Sequence, residues 1–149
     1  HQTYRHPTYW QKIQEETKGT GNMLCSIKMF EESERLHPVQ EEETIKVEKI
    51  RGHIVFIGTE DDTLWNAAKY IRRMDERLKT HAHSCTYDVC VRPYGTHFCF
   101  PESMLKMMLP FGKKFALGCF FRSAKLHARE CEQTRKDIDS VVERALSMW

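Results

Sequence analysis

No apolar run in this chain of 149 residues approaches the roughly 18 that a bilayer crossing needs, so a spanning helix is excluded. Nor does any segment have the make-up of a signal peptide. Charge of one sign is scarce: 23 Lys and Arg stand against 21 Asp and Glu, which leaves no strong field for nucleic acid or a membrane surface. There are 6 cysteines, at positions 25, 85, 90, 99, 119 and 131, but no C-x-x-C pair and no zinc-ribbon spacing. A chain of this length does not need disulfides to hold a core, so the thiols read as reduced and the protein as cytoplasmic. No motif calls for a cofactor, and no internal repeat or low-complexity stretch is visible. The first residue is His1, not Met, which suggests that something upstream has been removed.

What is present is a globular composition, 40% hydrophobic and 30% charged, at the size of one domain. Tyr9 to Glu16 reads as a short helix, and Gly19 and Gly21 break it. Met23 to Leu36 carries an imperfect helical stripe that ends at His37 and Pro38. His53 to Ile57 (HIVFI) is continuously apolar, the pattern of a strand covered on both faces, and Gly58 stops it. Thr63 to Lys79 follows as an amphipathic helix with Leu64, Ala67, Ala68, Ile71, Met74 and Leu78 on one face. Thr86 to Arg92 (TYDVCVR) alternates as a second strand and stops at Pro93 and Gly95. Strand, helix and strand at this spacing form one βαβ crossover with parallel strands. Two helical stretches close the chain, near Phe115 to His127 and from Arg129 to Trp149, the second with Ile138, Val141, Val142, Ala145, Leu146 and Trp149 on a stripe.

The chemistry concentrates where the strands end. GTEDDTLW, residues 58 to 65, places Asp61 and Asp62 at the exit of an apolar strand, where a carboxylate without partners costs several kcal/mol. The plain reading is an N-cap pair for the following helix. The loop after the second strand, PYGTHFCFPE, carries His97, which by itself reads as a structural or exposed loop histidine. If the two strands are parallel neighbours, both loops leave the same edge of the sheet, the edge at which α/β proteins bind ligands. An Asp after one strand and a His after the next is also the order of the second half of an α/β-hydrolase triad. In that role a carboxylate of the pair holds the tautomer of the His97 imidazole and stabilises the imidazolium, which gives the buried acid its partner.

IKVEKIRGHIVFIGTEDDTLW, the helix ending in ERL, and YGTHFCFPE together resemble the C-terminal catalytic portion of the acyl-coenzyme A thioesterase and bile acid-CoA:amino acid N-acyltransferase family. The similarity spans about residues 40 to 149, the closing helix included. It implies the C-terminal part of an α/β-hydrolase fold with one βαβ crossover. It also implies a division into a helical, lid-like lead-in over 1–43 and a part carrying the triad acid and base over 44–149. The roles of those two residues carry over to Asp62 and His97, and the implied substrate is an acyl-CoA thioester. Two departures stand out. Gly95-Thr96 precedes the histidine where the family more usually has Gly directly before it, and Phe111 to Glu132 is basic and aromatic.

The nucleophile is missing. Residues 1 to 61 hold no G-x-S-x-G or Cys equivalent, and Ser26 in LCSIK lacks flanking glycines. The chain is therefore expected to be inactive alone, its nucleophile in a longer parent, and its partner the missing N-terminal half or a second copy at the sheet edge. Two rival readings share the same residues: a non-catalytic α/β interaction module that pairs through that edge, and a related α/β hydrolase acting on esters or peptides. Lesser features have plain readings. His81, His83 and Cys85 in HAHSC read as a polar turn more readily than as a metal site. Cys99 and Trp65 read as packing residues, Glu41 to Glu43 as a solvated loop. Lys113, Lys114, Arg122, Lys125 and Arg129 among Phe115, Phe120 and Phe121 read as snorkelling cations more readily than as a coenzyme A phosphate site.

Overall fold

A computed structural model describes residues 7–148. The elements run α1 (Pro7–Thr17), α2 (Ile27–Leu36), two 3-10 turns (Glu41–Glu43 and Val47–Lys49), β1 (His53–Thr59), α3 (Ala67–Thr80), β2 (Thr86–Arg92), α4 (Glu102–Met108), α5 (Lys113–Phe120), α6 (Arg122–Leu126) and α7 (Ala128–Ser147). No described helix is long and apolar enough to cross a membrane.

β1 and β2 pair in parallel, in a register that sets His53 against Thr86 and Thr59 against Arg92. Both strands therefore end at one edge, as the crossover spacing predicts. Ile54 and Phe56 pack with Ile71, Met74 and Leu78 of α3, with Val47 and Cys85 completing this core. Gly58 lets α3 approach closely, since a Cβ there would lie 2.6 Å from Ile71 Cδ1. Side chains alternate along a strand, which leaves the other face to α7. That helix is tied to β2 by Arg92–Asp137 at 3.0 Å and Asp88–Arg144 at 3.4 Å. Coverage of β1 is thinner than its apolar run suggests. Ile54, Val55 and Ile57 stay partly exposed, because a strand with one neighbour keeps one bare edge.

The helical boundaries differ from the sequence reading for identifiable reasons. α3 starts at Ala67, not at Thr63, because Asp62 Oδ1 accepts the Leu64 and Trp65 N–H groups at 2.9 and 3.1 Å and closes a turn that competes with helix. Asn66 is the cap, its side chain accepting the Lys69 N–H. Neither Asp61 nor Asp62 caps α3. α2 starts at Ile27 because Leu24 and Ser26 bond sideways to the loop after β1. The expected helix from Phe115 to His127 is two, broken where Phe121 turns extended and buries its ring with Leu105, Leu117 and Ala124. On α7 the buried stripe runs through Cys131, Thr134, Arg135, Ile138 and Ala145, whereas Leu146 points outward. Trp149 lies outside the described residues. Glu41 to Glu43 form a 3-10 turn, and Arg77 binds both Glu41 at 2.9 Å and Glu48 at 2.6 Å. Those bonds hold each carboxyl down at about 2.

Helix α4 has no counterpart in the periodicity reading. It is anchored by Glu102, which is 1% exposed and meets the equally buried Arg135 of α7 at 2.7 Å and Lys113 of α5. Burial pushes the Glu102 carboxyl up, but the bonds from Lys113 and Arg135 outweigh it and the net shift is downward. Its contribution to stability is therefore complete above the ordinary value of 4.5 and is lost as pH falls through the lowered one. Removing one partner of a buried pair strands the other charge at a cost of about 3–5 kcal/mol. Glu102→Ala should lower unfolding free energy by about that amount in urea titrations. The double variant E102M/R135M should recover most of the loss; a double variant as unstable as E102A would show that the loss does not come from the stranded Arg135 charge.

Candidate active site

Asp62 and His97 meet at the common edge of the two strands. Asp62 Oδ2 lies 2.9 Å from His97 Nδ1, and the carboxylate is 4% exposed while the imidazole is 41% exposed. The burial that made an acidic residue improbable here is compensated by three partners, the two backbone N–H groups on Oδ1 and the imidazole on Oδ2. An ionised carboxylate only accepts, so the proton of a neutral His97 sits on Nδ1 and Nε2 keeps its lone pair. The bond to Asp62 raises the His97 pKa above 6.5 and partial burial opposes the rise. The arrangement suits a base that takes a proton on Nε2 and is stabilised once charged.

The neighbouring carboxylate does a different task, which the sequence reading missed. Asp61 turns away from its twin and accepts the Gly95 N–H at 3.0 Å and the Thr96 N–H at 2.8 Å. It also accepts the Ser123 hydroxyl of α6. Those donors lie 34 and 35 positions ahead in the chain, beyond any local pattern. Thr59 Oγ1 donates to the Thr96 carbonyl at 2.9 Å, and Thr134 Oγ1 of α7 donates to the Tyr94 carbonyl at 2.5 Å. The loop that carries the imidazole is thus bonded at each turn of its backbone. This matters because Thr96 holds φ at 64°, the one non-glycine residue of positive φ among those described. A β-branched residue is strained there, and the surrounding bonds keep it in place. The Gly-Thr departure noted in the sequence therefore falls on the residue whose backbone aims His97.

The other sequence candidates fall elsewhere. Among the described residues no three His, Cys, Asp or Glu side chains are placed to hold a metal ion; His83 Nδ1 sits 2.9 Å from the Cys85 carbonyl instead. Burial pushes the Cys99 thiol up to about 11, so it stays protonated and packs. Trp65 packs between Phe30 and Tyr70, its ring tilted against theirs with centroids 4.7 and 5.1 Å away, and it shares with His97 the wall of a cavity. Lys113 is engaged by Glu102, and Phe121 is core, while Phe115 stands in solvent.

Residues 4–146 match the family model described as BAAT / Acyl-CoA thioester hydrolase C terminal. The chain belongs to that family. Neither curated proteins nor solved structures gave a match. Membership ties the chain to acyl-CoA thioesters as a substrate class, and the match includes both strands and the loops that carry Asp62 and His97.

Two outcomes check this construction. In Asp62→Asn the amide oxygen still accepts from Leu64 and Trp65, but the charge on Oδ2 is gone. His97 should then titrate at or below 6.5 by NMR, where the parent chain titrates above it. The charged pair's contribution is complete below 6.5 and is lost as pH rises through the raised value, so the two proteins should differ most in stability at acid pH. Identical titrations would mean that the contact does not persist in solution. The second outcome concerns Gly95, where a Cβ would lie 2.5 Å from Thr59 Cγ2 and 3.0 Å from Thr134 Cγ2. Both threonines are pinned by their hydroxyls, so Gly95→Ala should cost about 1–3 kcal/mol in denaturation and pull the His97 pKa down.

Proposed function

We propose that Asp62 and His97 are the acid and base of a nucleophile–His–Asp triad that transfers the acyl group of a coenzyme A thioester. The observation that carries this reading is the 2.9 Å bond from a buried carboxylate to an exposed imidazole, in a chain of this thioester hydrolase family. The fold implied is the C-terminal part of an α/β hydrolase. In that arrangement the bare edge of β1 adjoins the rest of the sheet, the nucleophile comes from outside these 149 residues, and the helices before β1 act as a lid.

Each step then has a residue. His97 Nε2 takes the proton of a Ser or Cys as it attacks the thioester carbonyl. The tetrahedral adduct expels coenzyme A, which leaves with the proton from His97, and an acyl-enzyme remains. His97 next deprotonates the acceptor, water or an amine, and returns the proton to the nucleophile as the product leaves. Asp62 stays ionised throughout and holds the ring. The same geometry serves a relative acting on esters or peptides; the family supports the thioester.

The assay is release of coenzyme A thiol from acyl-CoA. The chain alone should give no rate above buffer. In a form that includes the nucleophile, His97→Ala should lower kcat/KM by about 10²–10⁴-fold. The rate of that form should climb with pH through the raised His97 pKa, and Asp62→Asn should shift the climb to lower pH. Unchanged turnover in H97A would leave the Asp62–His97 pair a structural contact, with the sheet-edge interaction module as the remaining reading.

A further inference from the structure

The cavity beside His97 has a volume of about 260 Å³. Two sets of residues wall it. Tyr9, Trp10 and Ile13 come from α1 and Met29 from α2, while Leu64 and Trp65 come from the loop that carries Asp62. These walls are sewn together. The Ser26 N–H donates to the Thr63 carbonyl at 2.9 Å, the Thr63 hydroxyl to the Leu24 carbonyl at 3.1 Å, and the Ser26 hydroxyl to the Leu64 carbonyl at 2.7 Å. The tilted Phe30–Trp65 ring pair adds an apolar contact across the same seam. The buried hydroxyl is satisfied by backbone, so the lining offers hydrocarbon and aromatic surface with the imidazole at one side.

We infer that this cavity holds the hydrocarbon tail of the acyl group and that it is sized for straight chains of medium length. The inference rests on the acyl-transfer reading of Asp62 and His97. A reacting carbonyl must sit beside the imidazole, and the space that continues from it is apolar and fixed in shape by the seam. At roughly 30 Å³ per water-sized group, 260 Å³ accommodates about eight or nine methylene-sized groups, which sets the limit near eight to ten carbons. It lies just below the ~300–1,000 Å³ of pockets that enclose drug-sized ligands, which favours a slender tail over a bulky polycyclic one. Helices α1 and α2 thereby become determinants of chain length.

Saturated fatty acids from six to sixteen carbons are the probe, titrated into the chain and read by tryptophan fluorescence, since Trp10 and Trp65 both line the cavity, and by the NMR signal of His97. Affinity should tighten about fourfold with each added methylene and level off near eight to ten carbons. Met29→Trp fills the cavity and should abolish the dependence on length while the His97 titration stays raised. Should that variant fail to fold, Trp10→Ala, at an exposed position, should weaken ten-carbon binding and leave six-carbon binding nearly unchanged. Binding that is absent in the parent chain, because protein fills the space, or that is independent of length, would overturn the inference. So would length dependence retained in a folded M29W. Length-dependent binding together with unchanged turnover in H97A would keep the pocket and remove the catalytic reading. Loss of turnover in H97A without length-dependent binding would do the reverse.

Discussion

Two adjacent carboxylates that point apart organise this molecule. Asp62 faces inward to the His97 imidazole and its own turn, and Asp61 faces the backbone of the loop that delivers that imidazole. Placing two like charges side by side is unfavourable unless each has donors of its own, and here one takes two N–H groups and a ring nitrogen while the other takes two N–H groups and a hydroxyl. The parallel register makes this possible. Because Thr59 lies opposite Arg92, the loops that follow start side by side, and a carboxylate two residues past one strand reaches amides three and four residues past the other.

Behind that pair stands a second layer of charge. Glu102 follows the His97 loop and joins Arg135 on α7, and Thr134, its neighbour in the chain, bonds Tyr94 at the start of the same loop. α7 therefore supports the site from two adjacent positions, one ionic and one a hydroxyl. In front of the site α1 and α2 are attached by the three bonds of Leu24 and Ser26 to Thr63 and Leu64. Anything that shifts the acid loop shifts these helices with it, which couples the wall of the cavity to the position of the acid.

Much of this was legible in the residues, and the part that was not shares one cause. β2 has the bounds that its alternation gives, and β1 extends its apolar run by Gly58 and Thr59. Both are local patterns. The order Asp then His after successive strands also foretold that the two side chains meet, because topology converts order into place. Three features escaped: the partners of Asp61, the Glu102–Arg135 pair and the seam at Ser26. Each joins residues more than thirty positions apart without any periodicity that marks them. The late start of α3 is a smaller case, in which a side chain offers the backbone a turn that propensity alone does not weigh.

Thr96 shows what the network is for. Left-handed backbone suits glycine, so threonine at φ 64° stores strain on the order of 1–3 kcal/mol. Its surroundings hold it: Asp61 takes its N–H, Thr59 donates to its carbonyl, and its own hydroxyl accepts the Phe98 N–H at 3.3 Å. A glycine would adopt this geometry without strain but would also leave it easily, because its freedom extends to many other conformations. Threonine has few alternatives, and the last of its three bonds is one that glycine cannot make. Strain at this position is therefore exchanged for rigidity of the imidazole, with the carboxylate of Asp61 as the group that makes the exchange stable.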